Sequence, residues 1–230
     1  MSSGGIDAFG EALQFIGWAF LPFLLLPAFV LLTGGGKAFS RAIISVIDLF
    51  STFTGELIKW VMPFMVISVV IAVFALSIYG ISSIWWDESA IYLHALGICL
   101  GAAPTYLAGE HVKVDIFFEK MQNRARALVE IGGFYTLLAP VCIVVVWRSQ
   151  SFVSFAWQSL EGSTNSGGIK GIYILKTALC VMFIMLLIQG LSVALRAALR
   201  LRDSQQADFS PHTDIAFLPA SISVKSRAPK

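Results

Sequence analysis

Five apolar stretches dominate the chain, and each is long enough to cross a lipid bilayer. They cover residues 12–33, 60–79, 89–109, 131–155 and 173–195. A helix rises about 1.5 Å per residue, so about 20 apolar residues span a hydrocarbon core of about 30 Å. The composition agrees, because 57% of the residues are hydrophobic and only 13% are charged, against about a quarter in soluble domains. The sequence therefore predicts an all-α, polytopic membrane protein.

The first stretch is predicted to be a retained transmembrane helix rather than a cleaved signal peptide. Residues 1–11 contain no Lys or Arg and carry Asp7 and Glu11, whereas a signal peptide begins with a basic segment. We therefore expect a four-helix transmembrane core that is preceded by an extra N-terminal transmembrane helix within residues 1–36.

Residues 37–58 are predicted to form an amphipathic helix in the cytoplasmic interface of the membrane. Their apolar side chains recur at intervals of three and four, as on one face of a helix. These side chains are Phe39, Ile43, Val46, Ile47, Phe50, Phe53 and Leu57. Asp48 interrupts the run, and a charge at the centre of a spanning helix costs about 2.5–3.5 kcal/mol, a cost that lying flat removes. Such a helix either anchors the next span or braces a partner protein.

Two further segments complete the expected domain organisation. Residues 59–201 form the four-span membrane domain, in which residues 114–130 carry a second, weaker amphipathic pattern. Residues 202–230 are rich in Ser, Ala, Pro and charge, so they cannot bury a core and are expected to be a disordered cytoplasmic tail.

The basic residues predict the orientation, because Lys and Arg are retained on the cytoplasmic side of a membrane. Thirteen of the sixteen flank the spans on one side: Lys37, Arg41, Lys59, Lys113, Lys120, Arg124, Arg126, Arg196, Arg200, Arg202, Lys225, Arg227 and Lys230. The other three are Arg148, Lys170 and Lys176. We expect a multi-pass protein of the bacterial inner membrane, with a periplasmic N-terminus and a cytoplasmic C-terminus.

No arrangement of residues points to catalysis, a cofactor or a metal. His94 is the histidine inside a span, and a bis-imidazole haem site would need a second one. His111 and Asp115 are four residues apart, which places them on one helical face, but two ligands without a third do not indicate a metal site. The basic clusters lie beside spans, so they indicate anionic lipid rather than nucleic acid.

Two ionisable residues approach the outer interface, Glu88 at the start of the third span and Arg148 in the fourth. The long stem of an arginine allows its charge to reach the membrane surface. Two alternatives remain open: a Glu88–Arg148 tether between helices, or two independent anchors.

Two motifs frame the third span. Trp86, Asp87 and Glu88 open it, and a Gly-x-His-x-x-x-Asp motif formed by Gly109, His111 and Asp115 closes it. In this order they resemble the small membrane subunit of TRAP transporters, the DctQ-like family, over residues 57–201. Relatives usually have four spans, so residues 1–36 look like an added helix. The usual Arg-rich approach to the motif is replaced here by Leu107, Ala108 and Glu110.

The resemblance implies a non-enzymatic scaffold of a tripartite ATP-independent periplasmic secondary transporter. Its partners would be a periplasmic solute-binding protein (DctP-like) that captures an organic acid or related solute, and a large membrane subunit (DctM-like) that carries the substrate and sodium sites. The small subunit would brace the large one. The resemblance implies a role in structure or subunit contact for Trp86, Asp87, Glu88, Gly109, His111 and Asp115. Position in the sequence adds two further candidates, Glu110 beside the motif histidine and Arg148 near the outer interface.

A second hypothesis is a membrane-anchor subunit of a redox complex that binds haem b or quinone. It requires a second spanning histidine beside His94, so the transporter hypothesis fits the sequence better.

The orientation is testable with reporter fusions at Gly4 and at Ser204. We expect a periplasmic reporter to be active at Gly4 and a cytoplasmic reporter at Ser204, because the basic residues are distributed one-sidedly. Cytoplasmic signals from both positions would mean that residues 12–33 do not span.

Overall fold

The computed structural model describes residues 24–33, 37–109 and 121–202. Within these ranges the chain is built of helices and contains no strand, which confirms the all-α class. The helices are α1 (Leu26–Thr33), α2 (Lys37–Ile58), α3 (Val61–Tyr79), α4 (Ile84–Ala108), α5 (Asn123–Gly133), α6 (Ala139–Gln158) and α7 (Ile172–Arg202). Between α5 and α6, residues Phe134–Leu138 form a wider π-helical turn.

Four helical stretches of the described residues are long and apolar enough to cross a membrane, which confirms the expected four-helix core. They are Lys37–Tyr79, Ile84–Ala108, Asn123–Gln158 and Ile172–Arg202. Of the expected extra span at residues 12–33, the part from residue 12 to residue 23 lies outside the described residues, and α1 occupies the rest. Residues 110–120, which include the start of the second amphipathic segment, and the tail from residue 203 also lie outside the described residues.

The third span begins earlier than its apolar run suggests. The sequence predicts a start at residue 89, whereas α4 begins at Ile84. The backbone N–H groups of Trp86 and Asp87 both donate to the carbonyl of Ser83, which precedes the helix in an extended conformation. The motif of Trp86, Asp87 and Glu88 therefore lies within the first two turns of α4 rather than before it.

The C-terminal half of α7 is the centre of the bundle. It belongs to a helix that packs against α1, α2, α4, α5 and α6. Its buried residues are mostly small or polar: Gln189, Gly190, Leu191, Ser192, Ala194, Leu195, Ala197, Ala198 and Leu199. Membrane helices gain little from hydrophobic association, so they associate through close backbone approach at small residues. This composition explains why so many helices meet at α7.

Two polar contacts dock α1 on the bundle. The hydroxyl of Tyr135 donates to the carbonyl of Leu24 at 2.7 Å, and the guanidinium of Arg202 donates to the carbonyl of Val30 at 2.6 Å. The last carbonyls of a helix have no intrahelical partner, so an arginine is well placed to satisfy one of them. α1 is thereby joined to both α7 and the start of the fourth span.

The wide turn Phe134–Leu138 has a local cause. Pro140 follows directly, in the first turn of α6. A proline lacks the N–H group that a regular helix needs and clashes with the carbonyl four residues earlier. A single turn of wider helix accommodates this break.

The close packing at α7 predicts a large effect for Gly190→Leu. A Cβ atom at Gly190 would lie 3.0 Å from a ring carbon of Phe134 and closer still to Leu138, so a larger side chain overpacks the core at a cost of about 1–3 kcal/mol. We expect a lower midpoint of thermal unfolding in detergent. Gly133→Leu is the matched control, since a Cβ there meets nothing within 4 Å. Equal midpoints for the two variants would contradict the packing described.

Candidate functional site

Trp86 fastens the first turn of α4 to α3. Its indole Nε1 donates to the backbone carbonyl of Ser68 at 2.8 Å. The hydroxyls of Ser68 and Ser89 lie 3.3 Å apart and form a second contact between the same helices. An indole N–H that leaves water needs an acceptor, and the carbonyl supplies it. Trp86 therefore serves helix packing at the end of the bundle where α4 begins.

Glu88 binds the connection between α6 and α7. Its carboxylate accepts hydrogen bonds from the hydroxyl of Ser163, from the side-chain amide of Asn165 at 3.1 Å and from the backbone N–H of Ile169 at 2.6 Å. The residue is only 8% exposed. We call Glu88, Ser163, Asn165 and Ile169 the outer latch. Three donors on one carboxylate compensate for the burial of its charge.

Further contacts fix the shape of this connection. The backbone N–H of Ser163 donates to the carbonyl of Ile169 at 3.1 Å, and Lys176 pairs with Glu161 at 2.5 Å. A Cβ at Gly168 would lie 2.5 Å from Ser163 and 2.6 Å from a carboxylate oxygen of Glu88. Only glycine leaves the space that the carboxylate needs. This connection, residues 159–171, is therefore held against α4; we call it the outer connection, after the predicted orientation.

Asp87 and Arg148 lie away from this cluster. Asp87 is exposed beside Glu88, and Arg148 is exposed on α6 next to Trp147, Gln150 and Ser151. Of the two alternatives left open by the sequence, the structure does not form the tether. The carboxylate of Glu88 contacts the outer connection, and within the described residues no ion pair joins it to Arg148.

Gly109 ends α4. It has a φ of 73°, in the left-handed region that favours glycine, and its N–H group points at the carbonyls of Thr105 and Tyr106. This is the usual way for a helix to stop at a glycine. Gly109 thus closes the helix immediately before the other residues of its motif, Glu110, His111 and Asp115, which lie outside the described residues.

A second polar cluster joins α2 to α7. The carboxylate of Asp48 accepts hydrogen bonds from Gln189 at 3.2 Å, from Ser192 at 2.9 Å and from the guanidinium of Arg196. The hydroxyl of Ser51 donates to the side-chain oxygen of Gln189 at 2.6 Å. We call these five residues the inner clamp. Gln189 and Ser192 have no exposed area, so the cluster lies inside the helix interface.

The inner clamp changes the physical account of Asp48. From the sequence alone, we expected α2 to lie flat on the membrane, so that the charge of Asp48 would not enter the hydrocarbon core. In the structure the charge is compensated by an ion pair with Arg196 and by neutral donors, and the side chains of Asp48 and Arg196 are 19% and 27% exposed. Such charge-assisted hydrogen bonds contribute about 1.5–3 kcal/mol each. The interfacial position of α2 therefore remains a prediction, and it rests on the side chains of α2 that point away from Asp48.

Sequence reasoning missed most partners in both clusters. Gln189 is a polar residue in the middle of an apolar run, and its spacing of three and four to Ser192 and Arg196 places all three on one helical face. This pattern could have indicated a polar contact on that face of α7 from the sequence alone. No comparable signal marks Ser163 and Asn165, because polar residues are ordinary in a loop.

The four candidate spans and the two polar clusters define a polytopic helical membrane protein in which polar side chains hold helices and connections together. A family model described as "Tripartite ATP-independent periplasmic transporters, DctQ component" matches residues 65–203, more than half of the chain. The chain therefore belongs to the DctQ family and is a small component of such a transporter. No curated protein and no solved structure matches it. Membership decides between the transporter and the redox anchor in favour of the transporter.

The outer latch predicts that Glu88→Ala frees the outer connection. Without the carboxylate, Ser163, Asn165 and Ile169 lose their common acceptor, and hydrogen bonds to a charged group are stronger than neutral ones. Hydrogen exchange at the amide of Ile169 should accelerate by about tenfold or more.

Asp87→Ala is the matched control for this experiment, since the neighbouring carboxylate is exposed. It should leave exchange at Ile169 unchanged. Equal exchange in wild type and Glu88→Ala would show that the latch does not hold the connection.

Proposed function

We propose that this chain braces the large permease subunit (DctM-like) of a TRAP secondary transporter. The large subunit would take up an organic acid or related solute together with sodium, after a periplasmic solute-binding protein (DctP-like) has captured the solute. In this proposal the chain itself carries neither the substrate nor the sodium site. The observation that carries the proposal is the arrangement of α2, which is clamped to the centre of the bundle by polar side chains and exposes a stripe of large apolar ones, while Ile43 and Ile44 pack against the core.

Three faces can be distinguished on α2. One faces the bundle and contains Ser40, Asp48 and Ser51. The second is an exposed, mainly polar flank with Arg41, Ser45 and Glu56, on which Leu49 is also exposed. The third, the α2 stripe, is exposed, and its side chains follow intervals of seven, four, three and four: Phe39, Val46, Phe50, Phe53 and Leu57. A polar flank beside an apolar stripe is what a helix in the membrane interface needs. This pattern supports an interfacial position and a lateral contact with a partner.

The inner clamp supports a bracing role for α2. A lateral helix can hold a moving partner in place only if it is itself fixed. The hydrogen bonds of Asp48 and Ser51 join α2 to α7, which has more buried residues than any other helix in the described part of the chain. A partner that moves against the α2 stripe would meet the whole bundle rather than one hinged helix. We propose that this is how the small subunit resists being carried along.

The outer connection suits contact with the periplasmic solute-binding protein. With the proposed orientation, residues 159–171 face the periplasm, and the outer latch holds them on the end of α4. A fixed surface lowers the entropic cost of docking a partner. We propose Trp86 and Glu88 as residues that build this surface, and Asp87 as an exposed acid beside it.

Further proposals concern the two ends of the chain, the segment that follows α4, and Arg148. We propose that residues 1–36 add a transmembrane helix, that the N-terminus is periplasmic, and that residues 202–230 form a cytoplasmic tail.

Glu110, His111 and Asp115 follow the end of α4 at Gly109, and we propose that they shape the cytoplasmic elbow and contact the large subunit. Arg148 is proposed as an anchor near the outer interface, and membrane lipid surrounds the remainder.

The double variant Val46→Lys/Phe50→Lys tests the bracing role. Both side chains are well exposed, 68% and 57%, so lysines there should leave the fold of this chain intact. At membrane depth each lysine costs up to about 2.5–3.5 kcal/mol, and less near the interface. We expect less large subunit to co-purify with this chain and a lower rate of solute uptake when all three components are produced.

Ser45→Lys is the control, because Ser45 lies on the exposed polar flank of the same helix. It should assemble and support uptake normally. Wild-type assembly and uptake in the double variant would leave α2 as a passive linker, and a failure of the wild-type chain to retain any large subunit would contradict the proposed function.

A further inference from the structure

His94 lies on an uncovered face of α4. Asp87, Ile91, His94 and Ile98 follow one another at intervals of four, three and four, which places them on one side of the helix. All four are exposed, Ile91 by 61% and Ile98 by 51%. We call these four residues the His94 face.

The other sides of α4 are occupied within the chain. A Cβ at Gly97 would lie 2.7 Å from Met62, which shows how closely α3 approaches on one side. On another side Glu88 binds the outer connection, and the hydroxyl of Tyr92 lies 3.5 Å from the carbonyl of Ile169. The described part of the chain supplies no hydrogen bond to His94 and nothing that covers its face.

The depth of His94 makes this exposure unusual. It is ten residues from the first residue of α4 and fourteen from the last, so about 15 Å and about 21 Å of helix separate it from the two ends. Arginine and lysine can extend to the membrane surface from such a position, but an imidazole is too short. Ionisable side chains inside spans almost always face protein or a water-filled cavity rather than lipid.

The neighbouring helix shows what a lipid-facing surface of this chain looks like. α3 has no buried residue, and its exposed side chains are predominantly apolar, including Phe64, Ile67, Val70 and Phe74. Lipid tails satisfy such a surface completely. The His94 face differs because its imidazole needs a hydrogen-bonding partner, which lipid tails cannot supply.

We propose that the His94 face is a contact surface for the large membrane subunit, and that the imidazole hydrogen-bonds a polar group of that subunit within the membrane. This rests on the proposed function, which supplies a membrane-embedded partner. Ile91 and Ile98 pack on the partner above and below the imidazole. Asp87, at the outer end of the face, meets a polar or basic rim.

The first test places a photoreactive benzoylphenylalanine at position 94 in cells that produce all three components, with position 70 on α3 as the control. We expect irradiation to join position 94 to the large subunit and position 70 to lipid. Crosslinks from position 94 only to lipid, or to residues 1–23 of this chain, would overturn the inference.

The second test compares His94→Leu with His94→Gln by the amount of large subunit retained at increasing detergent concentration. Leucine removes the hydrogen bond, and we expect about tenfold weaker association. Glutamine can still form the bond and should retain most of it. The midpoint of thermal unfolding of the isolated chain should be unchanged, since His94 is exposed in the described part of the chain.

The outcomes separate this inference from the proposed function. If wild type retains the large subunit and His94→Leu retains it equally well, the inference is wrong and the proposed function stands. If wild type retains no large subunit, the proposed function fails and the inference fails with it.

Discussion

The arrangement of the bundle depends on how the charge of Asp48 is compensated. This carboxylate lies on α2 but finds its donors on α7, at Gln189, Ser192 and Arg196. Removing one partner of an ion pair that is largely withdrawn from water is costly, because the other charge is left without compensation, and the side chains of Asp48 and Arg196 are only 19% and 27% exposed. The inner clamp therefore fixes both the position of α2 along α7 and its rotation, and the rotation determines which side chains face outward. The exposed α2 stripe is a consequence of the buried polar contact behind it.

The sequence predicted the parts of the fold that depend on local composition. The second apolar run matches α3 closely, because an apolar run has the same length as the helix that crosses the bilayer. The fifth run matches the start of α7, which continues beyond the run to Arg202. The amphipathic period likewise predicted α2. The start of α4 was placed too late, because charged residues at a helix end do not belong to the apolar run although they belong to the helix.

Partners that are distant in sequence could not be predicted in the same way. Glu88 and Arg148 have opposite charges near the same interface, so their pairing was a reasonable hypothesis. The structure uses the backbone N–H of Ile169 and two neutral side chains instead, and these become available only because the outer connection closes at Gly168. For the residues that carried the family resemblance, the described structure shows local roles: Trp86 joins two helices, Glu88 holds a connection and Gly109 ends a helix.

The wide turn at Phe134–Leu138 has a consequence for the fourth span as a whole. Up to Cys142 its buried residues are Ala127, Ile131, Phe134, Ala139 and Cys142, at intervals of four, three, five and three, and Ala156 is buried further along. The interval of five falls across the wide turn. In a regular helix, a step of five residues would rotate the next side chain well away from the seam. The extra residue taken up by the wide turn restores the phase, so that a helix of two segments presents one continuous buried edge to α7. Insertion or deletion of a single residue here would rotate the half of the span that follows the turn, with Trp147 and Arg148, relative to the half that precedes it.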